Sequence, residues 1–209
     1  LIMALIPVSI FIASFLILKE KISFLKVLGI ILSFIGALVI VVADFKIPDK
    51  VNALYFFGII ASLANVLLWT FYTLVSKKIM QKYTPFWSTF YAVLFGMFLL
   101  IPFSVFDSTW GMVFKLSLAA WFGILFLAII CTIFCYTMWN WSLTKVEASQ
   151  AAVFIYVEPI FTIVISYLIL REAFNLITIL ASVLIISGVY LVNKVDDNRP
   201  NVLELKKVK

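Results

Sequence analysis

Residues 157–193 read VEPIFTIVISYLILREAFNLITILASVLIISGVYLVN, and residues 5–41 read LIPVSIFIASFLILKEKISFLKVLGIILSFIGALVIV. The two stretches align without a gap at an offset of 152 residues. Matches of leucine and isoleucine carry little weight in so apolar a chain. The informative ones are Pro7 with Pro159, Ser14 with Ser166, Lys19-Glu20 with Arg171-Glu172, and Gly36 with Gly188. Both copies lie in membrane-length apolar runs. A duplicated membrane bundle is a common build for a secondary transporter.

Composition sets the class. The chain is 65% hydrophobic and 12% charged. Soluble domains carry about 25% charged residues, too many for this chain to supply. Seven apolar segments follow one another, at approximately 1–18, 24–43, 54–76, 85–106, 116–141, 147–170 and 174–193. At 1.5 Å rise, about 20 residues cross a bilayer. The runs are continuous rather than alternating, which excludes a transmembrane barrel. The reading is an all-α integral membrane helical bundle. Between the segments lie short polar breaks, in or beside which fall Pro48, Pro85 and Asp107.

The 16 cations outnumber the 10 anions. They sit in inter-helix loops and in the tail, where they act as topology signals rather than as a nucleic-acid surface. One set of alternate loops holds twelve: Lys19, Lys21, Lys26, Lys77, Lys78, Lys82, Lys145, Lys194, Arg199, Lys206, Lys207 and Lys209. The other set holds four: Lys46, Lys50, Lys115 and Arg171. The twelve mark the cytoplasmic side, so the C-terminus is expected inside. The loop at Lys19 then lies inside and that at Arg171 outside. The two copies therefore face opposite ways, as a duplicated five-helix unit must. Inverted repeats of this kind support alternating access. The repeat boundaries are read as 1–45 for the end of a first unit, 52–194 for a second, and 195–209 for a disordered cytoplasmic tail. If the second unit starts near Asn52, residue 1 sits about a hundred residues into its own unit, so a comparable stretch is expected upstream.

Several side chains stand out against this background. Glu158 is the ionisable group deep in a span, where a charge costs about 2.5–3.5 kcal/mol even on insertion scales. It is expected to face the bundle interior, be protonated, or both. A proton carrier and a partner for a cationic solute group are the two roles open to it. Pro7 and Pro159 interrupt the helical ladder at mid-span and free carbonyls that a cavity often serves. Gly58, Ala61, Asn65, Trp69, Tyr72 and Ser76 fall at steps of three or four, a small, polar and aromatic face expected to line a cavity. Thr132, Tyr136 and Asn140, and Gln150, Phe154 and Glu158, form two further stripes expected to meet the Asn65 face. Together they suit a small amphipathic solute. Tyr83, Trp87, Trp139 and Trp141 read as interfacial anchors. Gly29, Ser33, Gly36 and Ala37, with Ala181 and Gly188 in the second copy, put small residues where a neighbouring helix can approach closely, in the bundle or in a homodimer.

Other chemistries lack their residues. Histidine is absent. Cys131 and Cys135 without further ligands read as apolar fillers, so no metal and no cofactor is expected. A lone Glu158 does not make a protease, for which paired Asp or Ser with His would be needed. The chain is read as a non-enzyme. A polytopic sensor or assembly subunit is the alternative to a carrier.

The run CYTMWNWSLTKVEASQAAVFIYVEPIFTIVISYLILREAFNLITILASVLIISGVYLVN resembles the C-terminal hairpin of the EamA family of the drug/metabolite transporter superfamily. Tyr136, Trp139, Ala148, Glu158-Pro159, Arg171-Glu172 and Gly188 carry the resemblance. A weaker copy, IPVSIFIASFLILKEKISFLKVLGIILSFIGALVIV, resembles the end of that family's first unit. The resemblance implies ten helices in two inverted five-helix repeats, of which about seven are here. It also implies cytoplasmic termini and a central solute pathway. The expectation is a secondary transporter of small metabolites or drugs, an exporter, in a prokaryotic plasma membrane, with protons as a coupling ion.

Overall fold

The computed structural model describes residues 2–43, 53–105, 111, 116–171 and 176–194. The expected tail at 195–209, the breaks holding Pro48 and Asp107, and Glu172 lie outside the described residues. The α-helices among the described residues are α1 (Ile6–Ala13), α2 (Phe24–Ala43), α3 (Ala53–Ile79), α4 (Pro85–Val105), α5 (Leu118–Phe126), α6 (Cys135–Lys145), α7 (Ala148–Val153), α8 (Glu158–Leu170) and α9 (Leu176–Lys194). Short 3-10 turns at Ile2–Leu5 and Phe154–Val157 precede α1 and α8. Wider π segments at Ser14–Leu18 and Leu127–Phe134 follow α1 and α5. The apolar segments read from sequence thus appear as helices, with ends set by local chemistry. Pro85 opens α4, where its missing N–H is not needed. Ser117 caps α5 by accepting the Ala120 N–H at 3.2 Å.

The two copied stretches fold alike. Each begins with a 3-10 turn, at residues 2–5 and 154–157, and continues into a helix with proline in its first turn. The physical cause is the proline. Pro159 has no N–H to offer the Ile155 carbonyl four residues back. The turn tightens, and Ile155 accepts from the Glu158 N–H instead. The carbonyl freed by Pro159 is therefore served by its own chain, not by a cavity as the sequence suggested. Lys19 and Arg171, also 152 residues apart, adopt left-handed backbone at φ 57° and 54° and end their helices.

Two compact units divide the chain: Leu1–Leu74 with Glu147–Lys209, and Val75–Val146. They cut across the repeat boundary read at 45–52, because α2 of the first copy packs along α9 of the second. A Cβ added at Gly29 would lie 2.5 Å from the Gly188 carbonyl oxygen, and one at Gly36 2.7 Å from that of Ala181. Residue numbers rise along one helix as they fall along the other, so the pair is antiparallel. Ser33 Oγ donates to the Ile185 carbonyl across the seam at 3.2 Å. The small-residue faces of both copies thus find each other. The core beside the seam holds Ile30, Ala37, Ile40, Val153, Tyr156, Ala181, Ile185, Val189 and Val192. Tyr156 donates its hydroxyl proton to the Ala4 carbonyl at 2.9 Å, joining the two 3-10 turns.

In the second unit, α4 packs on α6, and Asn140 Nδ2 donates to Thr89 Oγ1 at 3.0 Å with both side chains buried. Lys77 Nζ donates to the Leu143 and Val146 carbonyls, each at 2.6 Å, and so satisfies the end of α6. Cys131 and Cys135 are free and exposed rather than filling a core. Tyr83, Trp87 and Trp141 are exposed, as interfacial anchors would be; Trp139 is half-buried.

Candidate functional site

Among the residues singled out in the sequence, the first unit holds Asn65, Trp69, Tyr72, Gln150, Phe154 and Glu158, with Pro7 and Pro159. Gln150 sits in the first turn of α7 and is buried. Its Oε1 accepts the Glu147 N–H at 3.1 Å while the Glu147 side chain takes the reciprocal bond, a capping box. Gln150, Phe154 and Glu158 were expected on one stripe. They do not share one environment: every residue of α7 is buried, Gln150 included, while Phe154 and Glu158 on the following turns are exposed. The expectation that Glu158 faces a bundle interior is not met by the described residues. Its carboxylate makes no hydrogen bond or ion pair with any of them; its backbone N–H donates to the Ile155 carbonyl, and its own carbonyl accepts from Thr162 Oγ1 at 3.1 Å.

Helix α3 meets the expectation in its C-terminal half, where Ser76 is buried, but not before it. Gly58, Ala61 and Asn65 are exposed, and a Cβ at Gly58 would meet nothing within 4 Å. Val66, Thr70 and Thr73 are buried instead. Before Ser76 the covered face is displaced by one residue, about 100° around the helix. Trp69 and Tyr72 lie at its edge, half-buried, with ring centroids 5.6 Å apart. On the covered face Thr70 Oγ1 meets Ser9 Oγ of α1 at 2.6 Å. Thr73 Oγ1 is buried with no hydrogen-bond partner among the described residues. Ser9, Thr70 and Thr73 were missed in the sequence. The signal available was Ser9 two residues after Pro7, together with threonines three apart on α3.

In the second unit Tyr136 is half-buried and Asn140 fully buried. Thr132, expected on their stripe, lies in the π segment and donates to Leu127 five residues back at 3.0 Å. It is half-buried, as Tyr136 is, between exposed neighbours.

A polar cluster at the start of α7 was also missed. Glu20 accepts from the Ala148 N–H (2.7 Å), the Ser149 N–H (3.2 Å) and Ser149 Oγ (2.6 Å). Lys26, fully buried, pairs with Glu147. Sequence reading marked Glu20 only through its match with Glu172. Its partners lie 128 and 129 residues away, and no spacing rule marks them.

Six described helices are long and apolar enough to cross a membrane, and a shorter apolar one spans Ile2–Leu18. The molecule is a multi-pass helical membrane protein. Residues 56–194 match the model of the EamA-like transporter family, and the chain belongs to that family. An uncharacterized transporter of Archaeoglobus fulgidus is 32% identical over 191 residues, 91% of this chain and 65% of the relative. A second from the same organism is 29% identical over 88% of this chain and 62% of its own length. The uncharacterized transporter YyaM of Bacillus subtilis is 28% identical over 90% of this chain and 61% of its length. The chain thus spans less than two thirds of these relatives. A crystal structure of another protein superposes with a TM-score of 0.74 at 18% identity, over 95% of this chain and 66% of that one, a likeness of fold alone.

Proposed function

We propose that the chain is part of a secondary transporter that exports small metabolites or drugs across a prokaryotic plasma membrane by alternating access between two inverted repeats. The antiparallel α2–α9 seam carries this reading. It brings Gly29 against Gly188 and Gly36 against Ala181, and these two pairs exchange under the 152-residue offset. Such exchange is what a two-fold axis in the membrane plane produces. The lysine-rich loops and the C-terminus lie on the cytoplasmic side. Trp69 and Tyr72 supply aromatic surface to the solute, Asn65, Tyr136 and Asn140 supply polar groups, and Phe154 flanks Glu158. Glu158 carries the charge work, exchanging a proton or meeting a cationic group of the solute. Gln150 sets the start of α7 for this group, and Pro7 and Pro159 set the two breaks. A homodimer and proton coupling complete the proposal.

Orientation is tested by single cysteines at positions 19 and 171 and a membrane-impermeant thiol reagent. Labelling from opposite sides is expected; labelling from one side refutes the inverted arrangement. A thermal-shift screen over amino acids, nucleobases and quaternary amines should find a stabilising class, because a ligand that prefers the folded state raises its apparent stability. Glu158→Gln should abolish pH-driven flux of that solute in everted vesicles. Flux that remains pH-driven in this variant ends the proton role.

A further inference from the structure

The seam of α2 and α9 is apolar and close, but the start of α7 is held differently. Hydrogen bonds and an ion pair join the α1–α2 hairpin to Glu147, Ala148 and Ser149, whereas farther along α7 Val153 packs in the apolar core with Ile30. Glu20 takes three hydrogen bonds from Ala148 and Ser149, and the buried Lys26 ammonium pairs with Glu147. All six residues of α7 are buried behind this cluster. Helix α7 leads through the 3-10 turn to Glu158, so whatever fixes its start fixes the segment bearing that carboxylate.

Polar partners can separate where opening lets water replace each one; the Lys26 ammonium, buried in this structure, needs that water in the open state. An apolar, close-packed seam has no such substitute. The two kinds of contact in this unit are thus suited to different tasks, one to stay closed and one to release. The second copy keeps only part of the cluster: Glu172 matches Glu20. The position 152 residues after Lys26 is Thr178, which bears no charge. The second copy cannot form the same ion pair.

We propose that Lys26, Glu147 and Glu20 form a releasable lock that closes the lysine-rich end of the pathway, and that the absence of its ion pair from the second copy biases the resting protein towards opening at the opposite end. The proposal rests on the alternating-access reading above, but its test uses no solute and no transport assay. Failure here leaves that reading standing, and the labelling at positions 19 and 171 judges it separately.

The test uses the full chain with Cys131 and Cys135 replaced by serine, and one reporter cysteine at a time. Ala151→Cys reports behind the lock and Ser166→Cys reports towards the far end of α8. The probe is a membrane-impermeant maleimide, and the readout is the labelling rate. Lys26→Met and Glu147→Gln should each speed labelling at 151 about tenfold and slow it at 166 at least threefold. The charge swap Lys26→Glu with Glu147→Lys should return both rates to within twofold of the parent. Rates unchanged in the single variants overturn the proposal. So does a rise at both reporters together, which is general loosening, or a swap that labels like the single variants. If Lys26→Met does not fold, Glu147→Gln keeps the side-chain length and a capping acceptor, and the same outcomes are read from it alone.

Discussion

Replacing Gly29 by alanine tests the seam between α2 and α9. The new methyl would sit 2.5 Å from the Gly188 carbonyl oxygen, 2.8 Å from Val192 Cγ2 and 3.0 Å from the Val192 nitrogen. Ordinary contact begins near 3.4 Å, so the first clash is about 0.9 Å too close. Two of the three neighbours are backbone atoms and cannot rotate away. The helices must part by most of that distance, along a seam whose other residues are already close-packed. Overpacking of this sort costs about 1–3 kcal/mol. Alanine also gains about 0.5–1 kcal/mol over glycine inside any helix, which partly masks the strain. Gly58→Ala removes this ambiguity, because its methyl meets nothing within 4 Å and reports the backbone gain alone. The difference between the two variants is then the strain itself. Gly36→Ala, with a nearest distance of 2.7 Å, should fall between them. Unfolding by a denaturing detergent in mixed micelles, followed by tryptophan fluorescence, gives the three stabilities. The expected order is Gly58→Ala most stable, then Gly36→Ala, then Gly29→Ala, with about tenfold or more in the unfolding constant between the extremes. Equal stability of Gly29→Ala and Gly58→Ala would refute the close antiparallel seam, and with it the geometric support for inverted repeats.

Two single hydrogen bonds give further outcomes. Tyr156→Phe removes the donor to the Ala4 carbonyl and should destabilise the first unit by about 1 kcal/mol, with little effect if that carbonyl finds another donor. Asn140→Ala and Thr89→Val, measured singly and together by the same unfolding assay, should show a coupling of about 0.6–1.7 kcal/mol; strict additivity would mean the two side chains do not meet.

The positions of the helices, the 3-10 turns before Pro7 and Pro159, and the left-handed residues at Lys19 and Arg171 depend on neighbours within a few residues. Backbone groups must be satisfied locally in an apolar medium, and proline removes a donor at a known position. The two small-residue faces were also legible, because a stripe of glycine and alanine departs from an otherwise bulky surface. Which surface each face would meet was not. Gly29 and Gly188 had to be placed by the whole unit before either could be seen as the other's neighbour. The same limit explains the covered face of α3. In a helix that is apolar almost all round, Asn65 and Trp69 drew attention, yet Val66, Thr70 and Thr73 are the residues the fold buries.

The amino-acid order alone determined that this chain is a bundle of membrane-length helices with two similar stretches 152 residues apart, since bilayer length and proline chemistry act along the chain. Only the tertiary structure decided that Glu20 caps α7 and that Lys26 pairs with Glu147. Contacts across more than a hundred residues depend on where backbones converge. What covers each turn is likewise set by tertiary packing, which buries every residue of α7 and leaves Phe154 and Glu158 exposed.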